Sequence, residues 1–120
     1  MNLSAAEYRQ MQTKPARSKY GAKRYCVDGI WFHSIAEGKE YERLRQRVSD
    51  GEIGPITIQP EFPLLVDGIQ VGKYRADFQF FDKVAGRERT IDVKGFDTPL
   101  SRWKRKHVKA QYGIDVEIVK

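Results

Sequence analysis

The stretch from Asp77 to Lys94 constrains the fold most, because it has the pattern of two strands joined by one tight turn. Two apolar-rich runs flank residues 83–86, which end in glycine, and a four-residue segment of this kind commonly joins antiparallel strands. This turn fixes which residues face each other across the hairpin. The expected pairs are Asp82 with Arg87, Phe80 with Arg89 and Asp77 with Asp92.

The predicted register brings three charged side chains together on one face of the sheet. Asp77 and Asp92 face each other at about 5 Å, and Lys94 emerges on the same face because side chains alternate along a strand. Ile91 and Val93 then point to the other face, into the core. Two facing carboxylates repel unless a cation neutralises them, and Mg²⁺ prefers carboxylate oxygens and water. The pattern therefore predicts a metal site, against the alternative of solvated strand residues paired with nearby basic side chains.

Composition limits the classes of protein to which the chain can belong. A chain of 120 residues, 40% of them hydrophobic, can form one modest core. Its single cysteine, Cys26, excludes an internal disulfide, and two histidines are too few for a Cys/His zinc cluster. No apolar run reaches the length of a membrane span, and the N-terminus lacks the apolar core of a signal peptide. We therefore expect a cytoplasmic protein that binds neither zinc nor membranes.

The net charge of +6 is unevenly distributed. Residues 1–24 and residues 102–109 each carry a charge of +5, and the remainder sums to −4. Basic segments around an acidic centre suit a polyanion held at its edges, although such segments also simply aid solubility. We expect residues 1–22 to form a basic, flexible arm and residues 23–120 to form a single domain.

Turn and cap signals delimit the elements of that domain. Asp-Gly pairs mark hairpin turns, and Ser34 followed by Glu37 is a capping box that begins a helix. Thr98 before Pro99 begins a second helix. The expected elements are a small hairpin over 23–33, a helix over 34–49, a hairpin over 56–71, the hairpin described above, a helix over 98–113 and a strand over 114–119.

Each helix is expected to pack by one face. On the first helix, Glu37 lies on the apolar stripe, so its carboxylate either serves only the cap or also partners the metal site. Glu40 lies about 60° off that stripe. The stripe of the first helix contains Glu37, Tyr41, Leu44 and Val48. The expected inner stripe of the second helix contains Leu100, Trp103, His107 and Ala110. Its opposite side carries Arg102, Arg105, Lys106 and Lys109, with Lys104 near the edge of the inner face.

Helix, three antiparallel strands, helix and strand form an α/β arrangement around one central sheet. With an acid on the first helix, Asp77 on the second strand and Asp-x-Lys at 92–94, this order resembles the restriction-endonuclease-like core of the PD-(D/E)XK nuclease superfamily over residues 34–119. One departure is Ala76, which stands where the superfamily's name has proline. Local segments also resemble a phage-associated group of small endonucleases similar to Holliday junction resolvases, namely residues 32–37, 51–53, 59–62, 74–78, 92–95 and 104–106.

The resemblance implies a set of catalytic residues: Glu37, Asp77, Asp92 and Lys94, with Gln59 as an auxiliary residue. Asp77 and Asp92 would bind Mg²⁺, for which Mn²⁺ would substitute, with help from the Val93 carbonyl. Glu37 would act through a metal-bound water or a second ion. Lys94 would orient the attacking water or stabilise charge on the phosphorane.

The resemblance and the charge distribution together predict a Mg²⁺-dependent DNA endonuclease. The expected substrate is branched DNA such as a Holliday junction, cut by a homodimer in phage recombination, replication or packaging, in the host cytoplasm if the chain is phage-encoded. Basic side chains would hold flanking phosphates without reading sequence, namely Lys19, Lys23, Arg24, Arg102, Lys104, Arg105, Lys106 and Lys109. The alternatives are a site- or end-processing nuclease and a noncatalytic nucleic-acid-binding protein on the same fold.

Overall fold

The computed structural model describes residues 24–120, which form a mixed α/β structure. The elements in chain order are β1 (Tyr25–Val27), β2 (Ile30–Phe32), α1 (Ile35–Ser49), β3 (Thr57–Ile58), β4 (Glu61–Val66), β5 (Ile69–Arg75), β6 (Phe78–Asp82), β7 (Arg87–Val93), α2 (Pro99–Tyr112) and β8 (Val116–Val119). Neither helix in this part of the chain is long and apolar enough to cross a membrane. The chain divides into two compact units between Gly38 and Lys39, and each unit is described by itself.

The described part of the first unit is a two-stranded hairpin followed by the start of α1. β1 and β2 pair antiparallel, and the turn residues Asp28 and Gly29 have φ values of 52° and 77°. Two successive left-handed residues form the type of hairpin turn that Asp-Gly favours, so the predicted hairpin is confirmed. The Ser34 hydroxyl accepts the N–H of Glu37 at 3.1 Å, which confirms the predicted helix cap.

Gly38 allows the start of α1 to lie very close to Tyr25. The glycine is buried, and a Cβ atom at this position would overlap the Tyr25 ring. Glycine inside a helix is less favourable than alanine by about 1 kcal/mol, so its presence here is explained by close packing and not by helix propensity.

Replacing Gly38 with alanine should therefore destabilise the protein by about 1–3 kcal/mol, because the added methyl group overpacks the contact with Tyr25. Urea unfolding monitored by circular dichroism measures this change. In a Tyr25→Ala background the same replacement should become neutral or stabilising by up to about 1 kcal/mol. Stabilisation in both backgrounds would contradict the packing explanation.

The second unit contains the central sheet, whose strand order is β3-β6-β7-β8. β6 pairs antiparallel with both β3 and β7, whereas β8 pairs parallel with β7. A parallel pair requires a crossover connection, which α2 provides. The β6-β7 hairpin has the predicted register, with Asp82 opposite Arg87 and Phe80 opposite Arg89. The predicted turn at 83–86 is also confirmed.

Apolar side chains from β6, β7 and α1 are buried in this unit. Phe78, Phe80 and Ile91 are each at most 2% exposed. The ring of Tyr41 packs on Phe78 with 6.1 Å between centroids, and Leu44 is buried one turn further along α1. The prediction that Tyr41 and Leu44 face the core is therefore confirmed.

A separate hairpin, β4-β5, packs against α2. Its turn residues Asp67 and Gly68 have φ values of 50° and 78°, as the Asp-Gly signal predicted. The core beneath it contains Phe62, Leu64, Tyr74, Ala76 and Val108, against which Ile114 and Val116 pack.

The ends of α2 follow the predicted signals. Thr98 caps the first turn by accepting the N–H of Ser101, and Pro99 occupies the first helical position. Gly113, with a φ of 72°, ends the helix in a left-handed conformation, and its N–H donates to the carbonyl of Lys109.

The predicted inner stripe of α2 was wrong for Leu100, Trp103 and Ala110, which are exposed, whereas His107 lies on the packed side. Leu100 and Trp103 are 57% and 69% exposed, whereas Val108 is fully buried, so the packed face lies about a third of a turn from the predicted one. The packed side includes polar groups that bond to the β4-β5 hairpin. The Gln111 side chain accepts the N–H of Leu65 at 2.9 Å, and the His107 ring bonds the Leu65 carbonyl at 3.0 Å. A pattern of apolar residues cannot identify a face that is held by hydrogen bonds.

Asp82, at the end of β6, organises both the turn and two arginines. Its Oδ1 accepts the N–H groups of Val84 and Ala85, each at 3.0 Å. Its Oδ2 lies 3.0 Å from Nη1 of Arg89 and 3.3 Å from Nη2 of Arg47. The hydrogen bond from Ala85, followed by the bond from Arg89 and the charge of Arg47, lowers the pKa of Asp82 to about 2. The hairpin therefore depends on an ionised carboxylate.

Asp82 should make the stability of the protein depend on pH in the acid range. Its pKa is lowered on folding, so its contribution is fully present above the ordinary value of 3.8 and is lost as the pH falls through about 2. In Asp82→Asn this contribution is absent. The difference in free energy of unfolding between the wild type and this variant should therefore exist at neutral pH and close between about pH 4 and pH 2.

Urea titrations across that range measure the difference. The matched control is Asp67→Asn, in the exposed turn of the β4-β5 hairpin, which should show no such closure. A wild-type advantage over Asp82→Asn that is constant with pH would exclude the ionised carboxylate as its source.

Candidate functional site

The predicted site residues lie where β6 begins and β7 ends. Regular pairing of the two strands stops with Phe78 opposite Ile91. Just beyond that pair, the N–H of Asp77 donates to the carbonyl of Ile91 at 3.0 Å. Asp77 and Asp92 are therefore immediate neighbours at the end of the hairpin ladder.

Asp77 is fixed by backbone groups on both sides. Its Oδ2 accepts the N–H of Val93 at 2.6 Å, a charge-assisted bond that holds the carboxylate beside β7. Its carbonyl accepts the N–H of Gln59 at 2.8 Å. Gln59 thus lies next to Asp77 through the backbone, with a left-handed φ of 53°. A catalytic role for the Gln59 side chain stays a prediction.

Asp92 is a buried carboxylate, 5% exposed, with two partners. Nζ of Lys94 lies 3.3 Å from its Oδ2, as expected for residues two positions apart on one strand. The Tyr74 hydroxyl donates to the same oxygen. A charge of this kind is costly to bury alone, and these two groups compensate it.

Tyr74 was not identified from the sequence as a site residue. It lies on β5, outside the central sheet, and is 4% exposed. Burial, followed by the hydrogen bond to Asp92, raises the pKa of the Tyr74 hydroxyl well above its ordinary range, so it remains a proton donor. The sequence signal was an aromatic residue three positions before Asp77. That signal also fits a tyrosine that serves only the core.

A second ion pair lies beside Tyr74. The Arg105 guanidinium donates to the two carboxylate oxygens of Asp97 at 2.9 and 2.5 Å, and this bond lowers the pKa of Asp97. The positive charges of Arg102 and Lys94 act on Asp97 in the same direction. Arg105 also interacts with Tyr74. The predicted placement of Arg105 on the outer side of α2 was therefore wrong, because Asp97 draws it inward and leaves its side chain 14% exposed.

The other basic residues proposed to bind nucleic acid have varied surroundings. Arg102 donates to the carbonyl of Asp97 at 2.9 Å, and Lys109 donates to Asp115 at 2.7 Å. Lys106 is exposed. Lys104 is half-buried, Arg24 is exposed, and Lys19 and Lys23 lie outside the described residues. Contact of these residues with phosphates stays a prediction.

Two glutamates of α1, Glu37 and Glu40, have different surroundings. Glu37 belongs to the first unit, where its N–H completes the cap, and its part in the metal site stays a prediction. Glu40 was expected off the buried stripe, but it is only 6% exposed. Both of its oxygens accept hydrogen bonds from Arg43, at 2.6 and 2.5 Å, and this neutralising pair explains how the carboxylate can be buried.

Donor chemistry decides whether the site suits a metal ion. Residues 24–120 contain no group of three or more His, Cys, Asp or Glu side chains placed to hold one. Mg²⁺, however, keeps several waters and commonly binds through one or two carboxylates. Asp77 and Asp92 therefore fit Mg²⁺.

The fold and the site define a small mixed α/β protein in which Asp77 and Asp92 lie at one end of the β6-β7 pair of the central sheet. The chain belongs to the family described as "Protein of unknown function (DUF1064)", whose model matches residues 17–119. No curated protein and no solved structure matches the chain. The family description states no activity.

Tyr74→Phe should destabilise the protein by about 1–3 kcal/mol, because it removes a donor from the buried carboxylate of Asp92. Tyr112→Phe is the matched control. Its hydroxyl donates to the Pro63 carbonyl at 2.6 Å in an exposed position, and its removal should cost no more than about 1 kcal/mol. Urea unfolding measures both losses. Equal losses would show that the bond to Asp92 is no stronger than an ordinary surface hydrogen bond.

Proposed function

We propose that this protein is a Mg²⁺-dependent nuclease that hydrolyses phosphodiester bonds in DNA. The observation that carries the proposal is the meeting of Asp77, Asp92 and Lys94 at the end of the β6-β7 hairpin. Nζ of Lys94 lies 3.3 Å from Oδ2 of Asp92. Asp77 accepts a hydrogen bond from the N–H of Val93, the residue between Asp92 and Lys94 in the sequence. Two carboxylates and one amine at the ends of the two inner strands suit metal-assisted hydrolysis of a phosphodiester.

The order of elements supports the proposal. α1 precedes three antiparallel strands, β3, β6 and β7, and α2 then crosses over to the parallel strand β8. This is the order expected for a restriction-endonuclease-like core. Asp77 immediately precedes the second of these strands and Asp92 lies on the third, which is consistent with the resemblance to PD-(D/E)XK nucleases.

Hydrogen bonds hold the carboxylates of Asp77 and Asp92 in fixed orientations. When bound at Asp77 and Asp92, Mg²⁺ would supply charge neutralisation on the phosphate oxygens and activation of water. Val93 orients Asp77 through its N–H, and Tyr74 orients Asp92 through its hydroxyl. Preorganised groups of this kind need no reorganisation as charge develops in the transition state.

Lys94 would place a positive charge beside the reacting phosphate. Its N–H donates to the carbonyl of Val119 at 2.9 Å, which anchors its backbone to β8. In the reaction, the oxygen of water bonds to phosphorus, the bond from phosphorus to one sugar oxygen breaks, and a proton derived from water passes to that leaving oxygen. The Lys94 ammonium would stabilise the negative charge that accumulates on phosphorus-bound oxygens.

The basic side of α2 would hold the flanking DNA. Arg102, Lys106 and Lys109 line a surface groove of about 350 Å³ together with Arg105. Contacts from such residues to phosphates give affinity without reading sequence. Selectivity for branched DNA and action as a homodimer, which the resemblance implies, are parts of the same hypothesis.

Cleavage of a labelled four-way junction and of a linear duplex, with and without Mg²⁺, tests this function. Asp92→Asn and Lys94→Ala should each lower the cleavage rate by about a hundredfold or more, because each removes charge from the reacting centre. DNA binding should remain largely intact, since the basic residues carry the affinity. Asp67→Asn and Lys83→Ala, in two exposed turns, are the matched controls and should cut normally.

Each part of the proposal has its own contradicting result. If Asp92→Asn cuts DNA at the wild-type rate, Asp92 is not a catalytic residue. If junction and duplex are cut at equal rates, the protein is not selective for branched DNA. Tight binding without cleavage of any DNA or RNA in Mg²⁺ or Mn²⁺ would favour a noncatalytic nucleic-acid-binding protein.

A further inference from the structure

A cavity of about 210 Å³ lies between the end of β5 and the start of α2. The residues that matter for its chemistry are Lys73, Tyr74, Arg75, Thr98, Ser101 and Lys104. The space is far larger than a single water needs. Lys73 and Arg75 were not among the basic residues that the sequence linked to nucleic acid.

The charge of this cavity favours an anion. Lys73 and Arg75 are two positions apart on one strand and Lys104 lies on α2, so three basic residues line this cavity. No carboxylate lines the cavity within the described part of the chain. Lys73 pairs with Glu61 at 3.6 Å, but both side chains are exposed and such a pair is weak, so a phosphate could compete with Glu61 for Lys73.

The hydroxyl groups of Thr98 and Ser101, which also line the cavity, each keep a proton to donate. Oγ1 of Thr98 accepts the N–H of Ser101, and Oγ of Ser101 accepts from Nη1 of Arg105 at 2.9 Å. A hydroxyl that accepts a hydrogen bond still has its own proton to donate. Cations and hydroxyl donors together match the oxygens of a phosphate group.

Tyr74 connects this cavity to the candidate site. The residue lines the cavity, and its hydroxyl donates to Asp92. The cavity is thus one side chain away from the carboxylate that the proposed reaction uses.

We infer that the cavity binds a backbone phosphate of the nucleic-acid strand, next to the phosphate at Asp77 and Asp92. The inference rests on the proposed function for its ligand class. Lys73, Arg75 and Lys104 hold the neighbouring phosphate, and the scissile phosphate is thereby set against Lys94. These three residues act by positioning the strand.

Binding of a labelled DNA duplex, without divalent cations and at several salt concentrations, tests the inference apart from catalysis. The double variant Arg75→Gln/Lys104→Gln should bind about tenfold more weakly and should reduce the slope of log affinity against log salt by about one, because the contact with one phosphate is lost. The charge-conserving variant Arg75→Lys/Lys104→Arg should keep the wild-type salt slope.

Lys83→Gln/Arg87→Gln is the matched control, since it removes one lysine and one arginine at the exposed turn of the β6-β7 hairpin. This control should change affinity by less than the cavity variant does. Equal losses from the two double variants would overturn the inference, because they would report net charge alone. In cleavage assays the cavity variant should mainly raise KM, whereas Asp92→Asn lowers kcat.

A second arm distinguishes DNA from free phosphate as the source of the anion. Inorganic phosphate alone is titrated into the full-length wild type and the cavity variant by calorimetry. Tight binding of inorganic phosphate that the variant loses, with DNA affinity unchanged, would overturn the inference in favour of a small-anion site. If no DNA is cut but the cavity variant alone loses DNA affinity, the inference stands and the proposed nuclease function falls.

Discussion

The burial of one carboxylate, that of Asp92, is the constraint around which this part of the molecule is arranged. An ionised group in a position that is 5% exposed requires compensation, and an unpaired one would cost several kcal/mol. Lys94 supplies the opposite charge from the same strand, and Tyr74 supplies a hydroxyl from a different hairpin. The three groups are interdependent, since removal of either partner leaves a buried charge incompletely satisfied.

This requirement explains why the β4-β5 hairpin matters although it lies outside the central sheet. Phe62, Leu64 and Tyr74 pack with Val108, so the core between the hairpin and α2 also fixes the tyrosine that reaches Asp92. On α2, Arg105 forms an ion pair with Asp97 and also interacts with Tyr74. The β4-β5 hairpin and α2 thus provide both the apolar core and the orientation of Tyr74 toward Asp92. A displacement of α2 would affect both.

Local signals made much of the fold predictable. The Asp-Gly turns at 28–29 and 67–68, the cap at Ser34 and the turn at 83–86 each depend on a few adjacent residues, and all are present. The contact of Lys94 with Asp92 followed from strand alternation alone. The features that the sequence did not predict correctly depend on contacts between residues distant in the sequence. The packed face of α2 and the role of Tyr74 arise from contacts with other elements, which no periodicity in the sequence reports.

The left-handed backbone of Gln59 has a mechanical consequence. A residue with a side chain in this conformation is less stable by about 1–2 kcal/mol than in an ordinary one, so the segment would relax if it were released. Its N–H is bonded to the carbonyl of Asp77, which opposes that relaxation. This hydrogen bond continues the β3-β6 pairing, in which Thr57 faces Gln79 and Ile58 faces Phe78, so a shift of β3 would also displace Asp77 at the candidate site.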